Sequence, residues 1–545
     1  MKRLPVIFVV GLVLVALAVP MSGGEIGFGG EAASPAPSTA SAPTAVSPSA
    51  SAAPDASGDT AAAPPSATPD PTVTPVPVAD VPIVPVTRFR SAVSSTSTKE
   101  VASVLAGESK RYDALELVAA DADAILAALE MERPADADRL VLAKDAATLT
   151  KHMAKQKKRL GFLRADEVTS AVRALAWGKR TLFGIGRTTT AGDWPLTARV
   201  PLATTAFDPA ATWTLFAGGD IMLDRGVAQT LKIKGKGADF PFDGGMAEIT
   251  SRYCCSSFGW RLPRTERTGA AGAMRDLIEG ADLAIANFEN PAPNKFRYHT
   301  SGTVFSADPK LISGLATAGI DWVSLANNHI GDAGRNGIIQ TIRNLKKAGI
   351  ASGGAGKNIT AARTPTILEA GGQQVALLGY DTIARYYHAD ADTAGSARLT
   401  KKTVKADVKK ARDAGADVVI VFPHWGTEYD PTPFPRQRAL AKAAIDAGAD
   451  LVIGNHAHWA GAMEVYKGKP IWYALGNFVF DQTWSELTME GMTLELTFHG
   501  SDLVQARMRP HIILDKAQPN LLDPAGDGRV VLGQVFEASK GLLPW

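Results

Sequence analysis

The sequence predicts an α/β protein whose main domain is built on mostly parallel strands buried between helices. Short apolar runs alternate with amphipathic segments through the second half of the chain, a pattern typical of strand–helix units. The amphipathic segments end in repeated turns such as Ala318-Gly319-Ile320, where glycine accepts a left-handed conformation. Several apolar runs are followed by a side chain with an oxygen or nitrogen donor, which indicates a site at one edge of the sheet.

The chain of 545 residues begins with the basic stretch Met1-Lys2-Arg3, followed by an uncharged apolar run. Residues 1–21 are therefore predicted to be a signal peptide or a membrane anchor. Cleavage at Ala16-Leu-Ala18 would release the protein, whereas an uncleaved run would hold it in the membrane with the bulk of the chain outside. We expect an extracytoplasmic protein that is membrane-anchored, or secreted if the segment is cleaved.

Residues 22–82 are rich in Ala, Pro, Ser and Thr, and no Lys or Arg occurs between Arg3 and Arg88. Such a segment cannot bury enough apolar surface to offset its ordering entropy, and its prolines favour extended conformers. We expect a disordered linker that spaces the folded part from the membrane. A tolerated low-complexity tail without a role is the alternative.

Residues 83–207 are predicted to form a small α/β domain of unknown role. Amphipathic spacing indicates helices at 98–105 and 122–129, and short apolar runs such as 140–143 indicate strands. The basic stretch 151–159 is interpreted as a solvated helix face, with docking on an anionic polymer or lipid surface as the alternative. The formal net charge of +2 gives no reason to expect a nucleic-acid partner.

The main domain is predicted to span residues 212–512, with an antiparallel portion near its end and a loosely packed C-terminal tail at 513–545. Residues 232–268 interrupt the strand–helix rhythm and are expected to form an inserted loop or lid. The only cysteines are Cys254 and Cys255, which excludes a disulfide scaffold. We expect either a local disulfide between them or two free thiols.

The donor residues that follow the apolar runs suit a metal centre. Mixed oxygen and nitrogen ligation is typical of divalent cations of the Mn, Zn or Fe type, and we expect one or two ions. Taken singly, each residue also fits a turn, a helix cap or a buried histidine, but their common place at strand ends favours a metal site and an enzyme. The predicted ligands are Asp220, Glu289, Asn328, His424, His456 and His458.

Six motifs follow one another between residues 212 and 485: Gly219-Asp220, Ala286-Asn-Phe-Glu289, Ala326-Asn-Asn-His329, His424-Trp-Gly-Thr-Glu428, Gly454-Asn-His456-Ala-His458 and Leu475-Gly-Asn477. In this order they resemble the CapA (PgsA) family of capsule and poly-γ-glutamate synthesis proteins. That family is related to calcineurin-like metallophosphoesterases, so the resemblance implies a four-layer αββα sandwich. The resemblance covers neither the N-terminal region nor the tail.

The resemblance also implies a role for each ligand. Asp220 and His458 match ligands of a first metal, and Glu289 stands where the superfamily has its bridging carboxylate. His329 matches the histidine that protonates a leaving group or holds an anionic substrate. Met222 stands where phosphoesterases have a histidine, and because a thioether is a poor ligand for an oxygen-loving ion, the first site lacks one imidazole. The ligands implied for the second metal are Asn328, His424 and His456.

Further polar residues near the motifs are candidates for positioning and for substrate binding. Asp332 is predicted to orient the imidazole of His329 and so to complete a catalytic pair; a carboxylate favoured by a helix N-terminus is the alternative. Arg225 would bind a carboxylate or phosphate, with a surface salt bridge as the alternative. Glu428 and Asn477 are the other predicted substrate-binding residues, although Asn477 also fits a buttress for a histidine.

The function implied by the resemblance is the synthesis, transport or attachment of an extracellular anionic polymer such as poly-γ-glutamate or a capsule polysaccharide. The expected partners are that polymer and subunits of a membrane synthesis complex. The sequence leaves open whether the protein is an enzyme. One alternative is a metal-dependent phosphoesterase or hydrolase of envelope substrates. The other is a non-catalytic factor that binds polymer, which Met222 favours.

Overall fold

The structure is a computed structural model that describes residues 77–201 and 207–545. The predicted signal peptide or anchor and most of the predicted linker lie outside the described residues. The first strand begins at Val78 and is buried from Val81, so the folded part starts ahead of the predicted boundary at residue 83. Prolines gave this stretch a linker-like composition, but its β-branched residues pack in a sheet. No helix in the described part of the chain is long and apolar enough to cross a membrane.

Residues 77–201 form a mixed sheet with helices. The elements are β1 (Val78–Arg88), β2 (Ser95–Thr96), α1 (Thr98–Leu105), β3 (Ala114–Val118), α2 (Ala122–Ala128), β4 (Leu140–Ala143), α3 (Ala146–Lys155), β5 (Arg159–Arg164), β6 (Val172–Ala174), β7 (Ala176–Trp177) and β8 (Thr197–Pro201). The sheet order is β4-β3-β5-β1-β6, and β8 pairs with β1. Leu115, Leu149 and Phe162 are fully buried in its core. Both predicted helices are present.

Residues 207–545 form the larger part of the molecule. The elements are β9 (Thr212–Ile221), α4 (Arg225–Ala228), β10 (Met246–Tyr253), β11 (Leu262–Arg267), α5 (Ala273–Glu279), β12 (Leu283–Phe288), α6 (Ile312–Thr317), β13 (Trp322–Ser324), α7 (Gly334–Lys347), β14 (Ala351–Gly353), β15 (Ala355–Gly356), α8 (Ile359–Ala362), β16 (Thr366–Ala370), β17 (Gln373–Asp381), β18 (Gly395–Ser396), α9 (Lys401–Asp413), β19 (Val418–His424), α10 (Pro435–Asp446), β20 (Leu451–Ile453), β21 (Met463–Tyr466), β22 (Lys469–Trp472), β23 (Asn477–Val479), α11 (Glu486–Met489), β24 (Glu490–His499), β25 (Asp502–Leu514), β26 (Gln518–Leu522) and α12 (Gly528–Ala538).

Two mixed sheets organise this larger part, which confirms the predicted α/β class. The first has the order β11-β10-β26-β25-β24-β9-β12-β13-β14, with β23 beside β9. Its strands β9, β12, β13 and β14 are parallel, whereas β24, β25 and β26 form the predicted antiparallel portion. The second sheet has the order β16-β17-β19-β20-β22-β21 and a parallel centre. The carboxyl ends of the parallel strands are therefore available to build a site.

The two sheets pack face to face, and helices cover their outer faces. Trp322 of β13 meets Phe422 of β19 edge to face, with ring centroids 5.6 Å apart, in a core that draws on both sheets. Ile338 of α7 packs in a second core with Phe288 of β12. Val408 of α9 packs in a third core on the outer face of the second sheet. The packing order is thus helices, sheet, sheet, helices.

The predicted alanine–glycine turns end the helices that connect the parallel strands. Gly319 follows α6 at φ 83°, and Gly415 follows α9 at φ 89°. Both values lie in the left-handed region that L side chains rarely adopt, so glycine lets the helix stop and the chain enter the next strand. These local signals explain why the strand–helix alternation could be predicted from the sequence.

The insertion at residues 232–268 is not simply a loop, as the sequence had suggested. Its β10 and β11 pair as an antiparallel hairpin at one end of the first sheet, and β10 also pairs with β26. Cys254 and Cys255 form a disulfide with each other just after β10, which is the first of the two predicted states. The hairpin is anchored because Arg252 makes a two-pronged ion pair with Glu486.

The predicted C-terminal tail is folded, which corrects the expectation of loose packing. The strand β25 runs past residue 512, and α12 buries Val531 and Val535 in the core between the sheets. Arg90 Nε donates to the Trp545 carbonyl oxygen at 2.9 Å, so the tail also contacts the first folded part. The apolar pattern of α12 is too short to show its burial in the sequence. That burial depends on a surface that only the assembled sheets provide.

The first folded part has its own core but is not a spatially separate domain. The described residues from 77 onward belong to one compact unit. Gln505 of β25 accepts the Ala174 amide of β6 at 2.8 Å, and the Ile185 amide donates to Glu495 of β24 at 2.9 Å. The predicted boundary near residue 207 therefore separates two cores rather than two independent bodies.

Candidate metal centre

Two carboxylates lie at the ends of adjacent parallel strands. Asp220 is the penultimate residue of β9, and Glu289 directly follows β12. The register pairs Asn287 of β12 with Asp220, so both acids reach the same edge of the sheet. Both are fully buried. Buried carboxylates are rare unless they are paired or bind a cation, so this edge is a candidate site.

The histidines come from the second sheet, across the core. His424 is the last residue of β19, and His456 and His458 follow β20. The backbone is left-handed at His456, with φ 95°, and at His458, with φ 57°. Such angles cost about 1–3 kcal/mol each for residues with a Cβ and concentrate at functional sites. The turn is therefore locally strained, and this conformation places both imidazoles beside the carboxylates.

These side chains form two groups of metal-type donors that share one carboxylate. Glu289, His424 and His456 make the first group, and Asp220, Glu289 and His458 make the second. His424 Nε2 lies 3.5 Å from Glu289 Oε1, and His458 Nε2 lies 3.9 Å from the same oxygen. His458 Nδ1 lies 3.5 Å from Asp220 Oδ2. Glu289 thus stands between the two groups, where the resemblance implied a bridging carboxylate.

Asn328 joins the group around His424 and His456. Its Oδ1 lies 2.7 Å from His424 Nε2, and His456 Nδ1 lies 3.0 Å from the same nitrogen. The amide oxygen and the two imidazoles are the ligands implied for a second metal, and the structure brings them together around one point beside Glu289. All of the predicted ligands therefore converge.

Two asparagines hold the ligands in place. Asn477 Oδ1 lies 2.8 Å from His458 Nδ1, and its amide nitrogen donates to the Thr488 carbonyl oxygen at 2.9 Å. Asn477 is fully buried, so the structure makes it a support for His458 rather than the predicted substrate-binding residue. Asn287 donates to Asp220 Oδ1 at 2.7 Å. Outer hydrogen bonds of this kind fix the orientation of metal ligands.

Burial controls the protonation of the cluster. Burial, and then the nearby charge of Glu289, raises the pKa of Asp220 well above its usual range, and burial raises the pKa of Glu289 to about 8. Burial also lowers the pKa of His458 to about 3 and that of His456 well below its usual range. The imidazoles are therefore neutral and keep a lone pair. A cation beside the carboxyl groups would favour their charged form and lower their pKa values.

The residues present fit a divalent metal. Both carboxylate oxygens of Glu289 are buried and have no hydrogen-bond partner among the described residues. A buried carboxylate without a partner is costly, and neutral imidazoles, carboxylates and an amide oxygen around it form a donor set typical of Mn, Zn or Fe. The donor set therefore agrees with the expected class of cofactor, a divalent metal.

Met222 takes no part in the donor cluster. Its side chain is fully buried in the core between the first sheet and its helices, and its sulfur accepts the Asp224 amide at 3.0 Å. The group formed by Asp220, Glu289 and His458 therefore has one imidazole, as the sequence had predicted for the first metal site. A thioether in the core stabilises the strand end but supplies no ligand for a hard ion.

His329 lies at the open side of the cluster and is oriented as predicted. Its Nδ1 lies 2.9 Å from Asp332 Oδ2, and its Nε2 lies 4.0 Å from Glu289 Oε1. The ring packs on Phe305, with centroids 4.1 Å apart. Asp332 also accepts the Phe305 amide at 2.9 Å. The pair is held firmly enough to present Nε2 toward the cluster.

A cavity of about 340 Å³ opens onto this side of the cluster. Its wall contains His329, His458, Arg225 and Glu428. The Arg225 guanidinium forms an ion pair with Asp481 and lies over the Phe305 ring, so the salt-bridge alternative describes its main contact. It lines the cavity all the same, and its Nε is buried without a hydrogen-bond partner among the described residues.

Several residues of the site were not among the predicted site residues. Asn287 lies two positions before Glu289, which is the spacing that places two strand side chains on one face. Asp481 lies in the stretch that follows Asn477, and only its contact with Arg225 reveals its role. Phe305 and Trp484 also line the cavity, but they lie in loops without periodicity, so the sequence carried no signal for them.

The fold and the cluster define an α/β protein with a buried carboxylate–imidazole centre of metal-binding type. Residues 214–482 match the family model described as bacterial capsule synthesis protein PGA_cap. The chain is 30% identical over 302 residues to a probable polyglutamine synthesis accessory protein of Mycobacterium tuberculosis, covering 49% of this chain and 74% of that relative. The chain belongs to this CapA family.

Other relatives match over a shorter share of their length. The chain is 37% identical over 216 residues to the capsule biosynthesis protein CapA of Bacillus anthracis, covering 38% of this chain and 53% of that protein. The match to the PGA biosynthesis protein CapA of Bacillus subtilis covers 60% of that protein at 32% identity. A 5'-nucleotidase precursor from Thermus thermophilus aligns over 61% of this chain and 59% of its own at 13% identity, with a TM-score of 0.32.

Proposed function

We propose that this protein acts in the synthesis, transport or attachment of an extracellular anionic polymer, either poly-γ-glutamate or a capsule polysaccharide. The names of its relatives support the class of polymer. A chemical role is supported by one observation: the buried carboxylate of Glu289 belongs to both groups of metal-type donors. A relation of this layered fold to the four-layer αββα sandwich of metallophosphoesterases belongs to the same proposal.

A divalent ion in this centre would polarise a substrate oxygen and lower the pKa of a bound water. The protein's own residues would do the rest. The neutral imidazoles donate lone pairs, and Asn477 and Asn287 keep the ligands oriented. His329, fixed by Asp332, lies beside the cavity and would deliver a proton to a leaving group or hold an anionic oxygen.

The second candidate function is a non-catalytic factor that uses the centre to bind polymer. Met222 favours it, because a core thioether replaces one imidazole of the group that contains Asp220 and His458. A weaker metal site would still organise an anionic chain in the cavity. Under this function metal removal would reduce polymer binding or stability, and hydrolysis would never appear.

We also propose that the centre works outside the cytoplasm, held at the membrane through residues 1–21. The support is the sequence pattern of a short basic stretch followed by an apolar run. Cell fractionation with the intact chain should find it in the membrane fraction and accessible to protease added outside. Deletion of residues 4–21 should retain it in the cytoplasm, and export of the deleted chain would contradict the proposal.

The metal centre is tested by elemental analysis of the purified full-length chain and of its variants His456→Ala and His458→Ala. We expect bound divalent metal in the original chain and a loss in each variant, because the two histidines belong to different donor groups. His152→Ala, which removes a histidine of α3 paired with Glu116, is the matched control and should keep the metal. Absence of metal after growth with Mn, Zn and Fe would overturn the proposal.

Turnover distinguishes the two candidate functions. A phosphodiesterase assay with a chromogenic diester should show metal-dependent hydrolysis that His456→Ala abolishes, if the centre is catalytic. Metal binding without hydrolysis, together with metal-dependent retention of a γ-linked glutamate polymer, would support the binding factor. The first outcome is a rate of hydrolysis and the second is an affinity for polymer, so both assays on one preparation distinguish the two functions.

A further inference from the structure

A second cavity, of about 280 Å³, lies where the first folded part meets β25. It shares no lining residue with the cavity at the metal centre. Its wall is dominated by cations and hydroxyl groups. The residues that matter are Ser94, Arg173, Lys179, Thr181, Arg507 and Arg509.

One buried carboxylate faces these cations. Glu495 Oε1 lies 3.2 Å from Arg507 Nη1, and Glu495 Oε2 accepts from Arg509 Nε at 2.7 Å. The remaining capacity of Glu495 is used by the Ile185 amide, at 2.9 Å. Burial alone would raise the pKa of Glu495, but the two arginines outweigh burial and lower the pKa to about 2, so its charge is fixed. Glu495 therefore supplies a single negative charge among these cations.

Arg173 is the cation without a partner. Its Nε is buried and has no hydrogen-bond partner among the residues that the structure describes. Burial, and then the charges of Arg507 and Arg509, lowers the pKa of Arg173 to about 9, which still leaves the group cationic near neutral pH. Four cations against one carboxylate create an uncompensated positive potential in the cavity.

Close packing builds the part of the cavity wall that contains Arg507. Gly184, at φ 103°, covers the ion pair so closely that an added Cβ would lie 2.4 Å from Glu495 Oε1 and 2.5 Å from Arg507 Nη1. Arg507 is only 12% exposed. Arg507 is thus held in position before any ligand arrives, which reduces the cost of binding.

We propose that this cavity binds a carboxylate group of an extended anionic chain, with Arg173 as the principal contact. Guanidinium groups bind planar oxyanions with two parallel hydrogen bonds, and the hydroxyl of Ser94 would complete the site. That the oxyanion is a carboxylate rests on the proposed function, whereas the anion site itself does not. A second attachment point on the same molecule would raise the retention of a long polymer through effective concentration.

Isothermal titration calorimetry on the full-length chain tests this inference. The protein is treated with a chelator, and the probes are a γ-linked glutamate decamer, inorganic phosphate and an uncharged glutamine decamer. The variants are Arg173→Gln and Lys179→Gln. The matched control is Arg199→Gln, which removes the same charge from an exposed position on β8. Thermal melting of each variant establishes that it is folded.

We expect the glutamate decamer to bind the original chain, and Arg173→Gln to weaken this binding by about tenfold or more, because a charge-assisted contact is lost. Lys179→Gln should weaken it less, and Arg199→Gln should leave it unchanged. Equal affinity in the original chain and Arg173→Gln would overturn the inference, as would stronger binding of phosphate than of the decamer. Arg173→Gln should keep its bound metal in elemental analysis before the chelator is added, so failure of the metal proposal and failure of this one are distinguishable.

Discussion

Asn477 fixes the ring of His458 through a single hydrogen bond to Nδ1, 2.8 Å long. A histidine whose Nδ1 is held by an acceptor presents Nε2 as the metal ligand, so this asparagine determines which nitrogen faces Glu289. We predict that Asn477→Ala weakens metal binding by about 10- to 100-fold, measured by metal titration. Asn344→Ala on α7 removes an amide bonded to the Ala292 carbonyl oxygen and serves as the control. Equal affinity in the two variants would contradict the assignment.

Gly219 leaves room for a backbone contact that positions Asp220. An added Cβ would lie 2.0 Å from the Gly476 carbonyl oxygen, which accepts the Asp220 amide at 3.1 Å. We predict that Gly219→Ala lowers the free energy of unfolding by about 3 kcal/mol, because backbone must move, and that it releases metal. Denaturant unfolding and elemental analysis measure the two effects.

The matched control for that change is Gly533→Ala. Gly533 is exposed in α12, and an added Cβ there meets no atom within 4 Å. Alanine favours the helix over glycine, so this variant should be stabilised by about 0.5–1 kcal/mol. If Gly219→Ala behaved like this control, the close approach of the two backbones would be wrong.

At the scale of elements, Glu464 joins the edge strand β21 to the helix α10. It forms an ion pair with Arg438 at 2.9 Å and accepts from the Tyr473 hydroxyl at 2.6 Å. Burial alone would raise the pKa of Glu464, but hydrogen bonds from Arg438, Tyr473 and Lys442 outweigh it and lower the pKa to about 2. The helix is therefore tied to the sheet by a carboxylate that favours its charged form.

The pH dependence follows from the direction of that shift. The folded pKa is below the unfolded value of about 4.3, so the stabilisation is complete above pH 5 and is lost as pH falls toward 2. We predict that Glu464→Gln lowers the free energy of unfolding by about 1–3 kcal/mol at pH 7 and flattens its decline between pH 5 and 2. Glu369→Gln, at an exposed position on β16, should leave both unchanged. A decline as steep in Glu464→Gln as in the original chain would refute this.

At the scale of the whole molecule, the two folded parts share contacts that couple their unfolding. Gln505 accepts the Ala174 amide, Glu495 accepts the Ile185 amide, and Arg90 reaches the last residue of the chain. We predict one calorimetric transition for the full-length chain, because unfolding either part would leave buried polar groups of the other without hydrogen-bond partners. Two transitions, with the first confined to residues 77–201, would show that the parts are independent.

Local physical signals made much of the fold and centre predictable. The strand–helix alternation is set by apolar periodicity, and the turns are set by glycine, whose conformational range is a local property. The common place of the donor residues from Asp220 to His458 was predictable because parallel strands end at a common edge, so a polar residue after each apolar run is directed to one place. The family resemblance assigned these residues to two groups, and the donor clusters agree with that division.

The remaining features depend on contacts between distant segments. The support of His458 by Asn477, the ion pair of Arg225 with Asp481 and the burial of α12 each require surfaces that exist only after the sheets have packed. The arginine cavity is the clearest case, because Arg173 and Arg507 lie more than 300 positions apart and no periodicity relates them. The sequence by itself determined which elements form and which donors lie at their ends. Only the tertiary structure decided which side chains form ion pairs, which form hydrogen bonds and which line one cavity. These interactions depend on distance in space and not on separation along the chain.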